Sequence, residues 1–348
     1  MKRACVLGHF GFGENLLNGQ TIKTKIVTDE LERRLHGEVV KMDTHGGWKT
    51  LLKAPFQVLK ALKMSANVII FPAHNGLRIY APLLCMARRF FRGRKLHYAV
   101  IGGWLASYLS SKKLLTKALK SFDAIYVETS TMKRALEVLG FTNIVIMPNC
   151  KKLLPISSEE LVYPTEEPYK LCTFSRVMKE KGIEDAIEAV KAVNEREGRT
   201  VYTLDIYGQI DPAQTQWFEE LKTGFPSYVR YGGLVPFDKS VEVMKEYYLL
   251  LFPTRFFTEG IPGTIIDAYA AGVPVVSARW ESFGDIIDDD RTGWGYEFNN
   301  TAELTEILHE CCLAPRVVLD LKEKCLMKSR EFSPESVVGI MIDNFGDI

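Results

Sequence analysis

Short apolar runs alternate with longer segments of helical period along nearly the whole chain, and they do so in two series. In the first, runs at 3–7, 38–42, 67–71, 96–101, 124–127 and 144–147 are separated by helical patterns reaching residue 35 and covering 51–64, 81–92 and 114–121. In the second, runs at 170–174, 202–207, 229–231, 248–252 and 273–277 alternate with helical patterns over 183–196, 212–224, 239–246 and 262–271. Brief apolar runs that alternate with helices belong to strands buried on both faces, which is the pattern of a mainly parallel sheet covered by helices. The expectation is an α/β protein of two doubly wound, Rossmann-like domains, and 348 residues are enough for two at roughly 150 each.

Between the series, residues 155–168 are rich in Pro, Ser and Glu and follow neither period, so they read as a linker. The domains are therefore placed at 1–154 and 169–332. Helices are expected over 301–313 and 316–330. A last one begins at Ser333-Pro334-Glu335, with Ser as its cap and Pro in its first turn, and occupies 333–348.

Charge divides the chain in the same place. Residues 1–170 hold 26 basic and 13 acidic side chains and residues 171–348 hold 18 and 30, so a formal net charge of +1 conceals two halves of opposite sign. The seven cysteines are scattered, with no C-x-x-C pair and no histidine at zinc-ligand spacing, which fits a reduced, cytoplasmic chain with neither disulfides nor bound metal. The apolar run after Lys2-Arg3 stops at Gly8-His9, too short for a signal-peptide core, and no stretch approaches the roughly 20 apolar residues of a membrane span.

Residues 252–277 carry the most chemistry. A buried strand leads to a loop presenting Glu259, then to a helix whose start is marked by Pro262 and whose middle carries Asp267. Unpaired N–H groups and the dipole at such a helix start favour a phosphate, and a carboxylate beside it can accept hydrogen bonds from sugar hydroxyls. Earlier, Ser175-Arg176 ends a strand and Lys181-Gly182 opens the next helix. A guanidinium and an ammonium there would grip a diphosphate, and ligands bind at the carboxyl ends of such strands.

With these residues in view, the second half resembles a family 4 glycosyltransferase (group 1) of the GT-B fold, the retaining nucleotide-sugar enzymes. The marks are Ser175-Arg176 with Lys181-Gly182, Glu259 and Asp267 eight apart, the segment 270–276, and Thr292-Gly293. The first half is similar more weakly, through its glycine-rich first loop, Asn18-Gly19-Gln20-Thr21, the segment 101–105 and Met147-Pro148-Asn149. That set looks like the transferases of capsular and other surface polysaccharides. The resemblance implies two facing domains, with the final helix crossing back to the first.

It also implies roles. Glu259 would contact the donor sugar, with Arg176 and Lys181 neutralising the leaving diphosphate. Ser175, Gly208, Gly260, Ile261, Gly263, Thr264 and Asp267 would complete the donor site, together with Gly13 of the first loop. No cofactor or metal is expected. Two departures stand out. Asp267 is one methylene shorter than the usual glutamate, so either the nucleotide sits closer to the helix or water mediates the ribose contact. The first domain has Gly102-Gly103 where many members place a histidine. His9, Gln20, His74, Gly103 and Glu128 are the candidates for the acceptor side.

Residues 44–122 contain no Asp or Glu and 14 Lys or Arg, interleaved with Trp48, Leu51, Leu52, Phe56, Phe90, Phe91, Trp104, Tyr108 and Leu109. Basic amphipathic helices of this kind suit an anionic membrane surface, whereas no base-reading motif points to nucleic acid. The expected activity is transfer of a hexose from a UDP- or GDP-sugar to an isoprenoid-diphosphate-linked glycan, at the inner face of the cell membrane. The competing readings are a nucleotide-sugar epimerase or hydrolase of the same fold, and a catalytically silent subunit that supports a partner.

Overall fold

The computed structural model describes residues 1–14, 19–46 and 52–345. Asn18, Trp48 and Leu51, named above, lie outside that range, as does Lys49 of the acid-free stretch. The chain divides into two compact units, one of residues 1–152 with 332–348 and one of residues 153–331.

The first unit contains β1 (Lys2–Gly8), α1 (Gly19–Arg34), β2 (Val39–Asp43), α2 (Ala54–Met64), β3 (Ser65–Ile70), α3 (His74–Arg88), β4 (Lys95–Ala99), α4 (Leu105–Leu109), α5 (Lys113–Leu119), β5 (Ala124–Val127), α6 (Ser130–Val138) and β6 (Ile144–Ile146). Its strands form one parallel sheet in the order β2-β1-β3-β4-β5-β6. The apolar runs become strands because both faces are covered. Val68, Ile70, Tyr98 and Ile125 point into one core with Leu62, Leu77, Leu84 and Leu119, while Val6, Ile69 and Tyr126 point into another with Val27 and Leu31.

The second unit contains β7 (Tyr169–Phe174), α7 (Ile183–Glu197), β8 (Tyr202–Tyr207), α8 (Thr215–Thr223), β9 (Val229–Gly233), α9 (Ser240–Met244), β10 (Leu249–Phe252), α10 (Gly263–Ala270), β11 (Val275–Ala278), β12 (Gly293–Tyr296), α11 (Thr301–Leu313), α12 (Pro315–Leu319) and α13 (Lys322–Ser329). Its parallel sheet runs β12-β11-β10-β7-β8-β9. The last helix, α14 (Pro334–Asp343), belongs to the first unit: Val337, Val338 and Met341 fill its second core, and Arg34 donates to the Glu335 carbonyl at 3.0 Å. Ser333 caps it by accepting from the Ser336 N–H at 3.1 Å.

The structure differs from the sequence reading at several points, and the helix expected over 316–330 is divided into α12 and α13. Helix α3 begins at His74, seven residues before the helical pattern expected over 81–92, and Pro82 is accommodated inside it. Helix α4 and strand β12 carry no clear period, being five and four residues long. Residues 155–168 are anchored to the second unit and do not hang between the two: the Ile156 N–H donates to the Ala270 carbonyl at 3.0 Å, and Leu161 is buried.

Candidate functional site

In a doubly wound sheet the chain leaves adjacent strands in opposite directions at one point, and the crevice beyond their carboxyl ends is where ligands bind. In the second unit that point lies between β7 and β10. Ser175 and Arg176 leave the end of β7 and residues 253–262 leave the end of β10, so the two segments singled out from the sequence meet there.

Glycines make the approach possible. Gly182 has φ +68°, and a Cβ on it would lie 1.9 Å from the Pro253 carbonyl oxygen. Gly208, at the end of β8, has φ +135°, and its Cβ would lie 1.7 Å from the Ser175 carbonyl oxygen. No side chain fits at either position, so the three loops are held backbone against backbone.

Across this junction Lys181 and Glu259 form an ion pair with both side chains mostly buried. The Lys181 ammonium also lies 5.0 Å from the Phe256 ring centroid and 5.6 Å from that of Phe252. One cation and one carboxylate thus stand side by side before the N-terminus of α10. Gly263 and Thr264 open that helix, where N–H groups lack intrahelical acceptors, and the Thr264 hydroxyl is buried with no partner among the described residues. Gly260 is half-buried and Ile261 buried beside them. Arg176 is largely exposed and lies 3.6 Å from Asp211. Asp267, on α10, is only 3% exposed.

A clamp that the sequence did not suggest fixes the loop. Arg255 grips the Asp185 carboxylate with two bonds of 2.9 and 2.7 Å, and its own N–H donates to the Glu180 carbonyl at 2.9 Å. The Thr301 hydroxyl adds a bond to Asp185 at 3.1 Å. At the other end of α10, the buried Lys322 donates to the carbonyls of Gly272 and Tyr247 at 3.3 and 3.1 Å. Arg255 and Lys322 read as ordinary surface cations in sequence, and only their distant partners give them away.

In the first unit the corresponding point lies between β1 and β3. A concavity of about 480 Å³ opens there, and His9, Gln20 and His74 all line it, with His45, Thr44 and Tyr80. His9 is fixed at both ring nitrogens, 2.8 Å from the Thr21 hydroxyl and 2.8 Å from His45. Partial burial, followed by the neighbouring His45, pushes the His9 pKa below the ordinary histidine value, which favours the neutral ring. Gln20 donates to the Phe71 carbonyl at 2.9 Å. His74 is exposed and stacks on Trp104, with ring centroids 3.8 Å apart.

The first loop is tied down by Asp43, which accepts from the N–H groups of Phe10, Phe12 and His45 at 2.8–3.0 Å. Burial raises the Asp43 pKa, but these backbone bonds outweigh it and hold the carboxyl below its usual range. Gly13 (φ +87°) sits on this loop, in the first unit, whereas the other donor candidates are in the second. Gly103 is exposed after β4. Glu128 does not line the concavity: it is 6% exposed and bound to the equally buried Lys23 at 2.5 Å, while Thr129 caps α6.

Residues 168–312 match the family profile "Glycosyl transferases group 1", a span that contains every residue of the β7/β10 junction from Ser175 to Asp267. This stretch of the chain is similar to the group 1 glycosyl transferases. The amylovoran biosynthesis glycosyltransferase AmsK of Erwinia amylovora is 26% identical to the chain over 137 residues, which are 37% of this chain and 32% of that protein. The alpha-galactosylglucosyldiacylglycerol synthase of Streptococcus pneumoniae is 27% identical over 207 residues, 56% of this chain and 52% of that one. The matched stretches thus span about a third to a half of these curated relatives. Among solved structures, Anabaena Alr3699/HepE in complex with UDP and glucose superposes with a TM-score of 0.70 at 13% identity over 100% of both chains, which establishes the GT-B fold. Within the matched stretch, the segment after β11 adjoins the site loop, since the Glu281 N–H donates to the Phe257 carbonyl at 2.9 Å.

Proposed function

We propose that the chain is a retaining glycosyltransferase that moves a hexose from a UDP- or GDP-sugar to a lipid-linked glycan, in the assembly of a surface polysaccharide. The observation that carries this reading is the Lys181–Glu259 pair before the N-terminus of α10, at the carboxyl ends of β7 and β10. The carboxylate offers acceptors to sugar hydroxyls. The ammonium and the helix N-terminus offer positive charge to a diphosphate, and Arg176, exposed just past the end of β7, is assigned to join them. In the reaction the bond from the sugar C1 to the diphosphate oxygen breaks and the acceptor oxygen bonds to C1 on the same face. The acceptor's proton leaves on the diphosphate, whose growing negative charge Arg176 and Lys181 stabilise. The complex of HepE with UDP and glucose and the polysaccharide product named for AmsK support this choice of substrates.

The acceptor sugar is assigned to the concavity of the first unit. Gln20 supplies an amide oxygen for hydroxyl groups, His9 and His45, engaged with each other, form part of the wall, and the stacked His74 and Trp104 supply a flat face for a sugar ring. Thermal stabilisation by a panel of UDP, GDP and their hexose derivatives tests the donor assignment. One base series is expected to raise the melting temperature, and Arg176→Ala to remove most of the shift. No shift with any nucleotide would turn the reading to a silent GT-B subunit, which the burial of Asp267 favours.

Membrane docking is assigned to the side of the first unit formed by α3 and α5. There a groove of about 830 Å³ is lined by Arg89, Arg92 and Lys117 together with Met86, Phe91 and Leu114, and Leu114 and the adjoining Phe90 are 86% and 85% exposed. Leu52 and Phe56 also face solvent, whereas Leu109 is buried in the core, so only part of the basic segment's apolar surface faces outward. No helix among the described residues is long and apolar enough to cross a membrane. Sedimentation with vesicles is expected to show binding to anionic but not zwitterionic lipid, weakened by salt and by Arg89→Glu with Lys117→Glu. Absence of binding at low salt, or retention indifferent to salt, would contradict the assignment.

A further inference from the structure

Helices α7 and α11 lie side by side in the second unit with their starts together and their ends together. At the starts, Thr301 of α11 bonds to Asp185 of α7. At the ends, Glu197, the last residue of α7, meets His309 and Cys312 of α11. One ligand atom from each of the three, a carboxylate oxygen, a ring nitrogen and a thiol sulfur, all lie within 4.8 Å of one another. Position 309 precedes 312 by one helical turn, so both side chains leave α11 on the same face, toward the end of α7. His309 and Cys312 are each 8% exposed.

The carboxylate is already oriented. Arg199 donates to one oxygen of Glu197 at 2.6 Å, and the other oxygen faces His309 Nε2 at 2.9 Å. Arg199 is itself held by Glu167 through bonds of 2.8 and 3.0 Å. A ligating carboxylate aimed by a cation that has its own anchor has the kind of outer support that metal sites use to fix their ligands.

We propose that Glu197, His309 and Cys312 bind a divalent transition metal ion of the zinc class. The mixed N, S and O donor set suits such an ion and is a poor one for calcium or magnesium, and three protein ligands leave a fourth tetrahedral position for water. Binding replaces the His309–Glu197 hydrogen bond by two metal bonds, moves the ring proton of neutral His309 from Nε2 to Nδ1, and releases the Cys312 thiol proton to solvent, leaving a thiolate and a carboxylate against the ion's two positive charges. The ion ties together the ends of α7 and α11 opposite the Asp185–Thr301 bond, and Asp185 is the residue that grips Arg255 of the site loop. Its effect is on stability and requires no part in sugar transfer. The spacing test applied to the sequence expects no such site, because one ligand comes from 112 residues away on another helix.

The test uses the full chain stripped with a chelator and titrated with Co²⁺ as a spectroscopic stand-in, then with Zn²⁺ alone. The expected result is one equivalent of cobalt with visible bands of tetrahedral intensity and a thiolate charge-transfer band, and a melting temperature raised by several degrees with zinc. Cys312→Ser, nearly isosteric, is expected to abolish the charge-transfer band, and His309→Gln to weaken binding more than about tenfold, while Cys311→Ser leaves both intact. A wild-type protein with no charge-transfer band, or a band that survives Cys312→Ser, would overturn the proposal.

Discussion

Glu259→Ala is expected to lower turnover by about 10²–10³-fold while the variant still binds the nucleoside diphosphate. The two halves of that expectation come from the division of labour at the β7/β10 junction. In the proposed function Glu259 is the carboxylate assigned to the sugar, and Lys181, Arg176 and the start of α10 are assigned to the diphosphate. The loop should keep its place without Glu259, because the Arg255–Asp185 clamp and the close contact of Gly182 with Pro253 do not involve it. Steady-state kinetics of nucleoside diphosphate release, set beside thermal shifts with the nucleotide alone, reads both. Loss of nucleotide binding in Glu259→Ala would mean that the carboxylate organises the phosphate site, and unchanged turnover would remove Glu259 from the chemistry. A supporting, catalytically silent subunit would instead leave its partner's activity intact in the variant.

Glu128→Ala is expected to destabilise the first unit by roughly 3–5 kcal/mol. Glu128 and Lys23 are buried together, and among the described residues Lys23 has one further acceptor, the Val100 carbonyl at 3.5 Å. Removing the carboxylate strands an ammonium in a nearly dry environment, which costs far more than the pair contributes when intact. The double variant Lys23→Met with Glu128→Leu removes both charges at similar volume and is expected to recover most of the loss. Denaturant unfolding of the three proteins checks this. A single variant as stable as the double would show that water reaches the site and that the pair is not isolated. The two charges tie α1 to the end of β5, so the pair supports the first unit and is no part of the lining of its concavity.

The fold was legible in the sequence where burial on both faces forces a continuous apolar run, as at 67–71, 202–207 and 248–252. It was not legible where an element is too short for a period to develop. Strand β12 is Gly-Trp-Gly-Tyr, only four residues and two of them glycines, and it forms against the open edge of β11. Residues 155–168 have a linker's composition, yet Leu161 and the Ile156 N–H find partners near the end of α10 that no local pattern announces. The site shows the same division. Arg176, Lys181, Glu259 and Thr264 can be singled out in the sequence because strand ends and a helix start follow from the topology. The Arg255–Asp185 clamp, the His9–His45 contact and the Lys23–Glu128 pair are not, because each joins residues far apart in the chain whose types are common on surfaces.

The central claim is that the junction of β7, β10 and α10 holds the diphosphate of a sugar nucleotide. Calorimetric titration of the wild-type protein and of Lys181→Ala, with the nucleotide that gives the largest thermal shift, tests it most directly. The account predicts one molecule bound per chain, with affinity reduced at least about tenfold in the variant. Equal binding by the two proteins, or binding of no nucleotide by either, would contradict it.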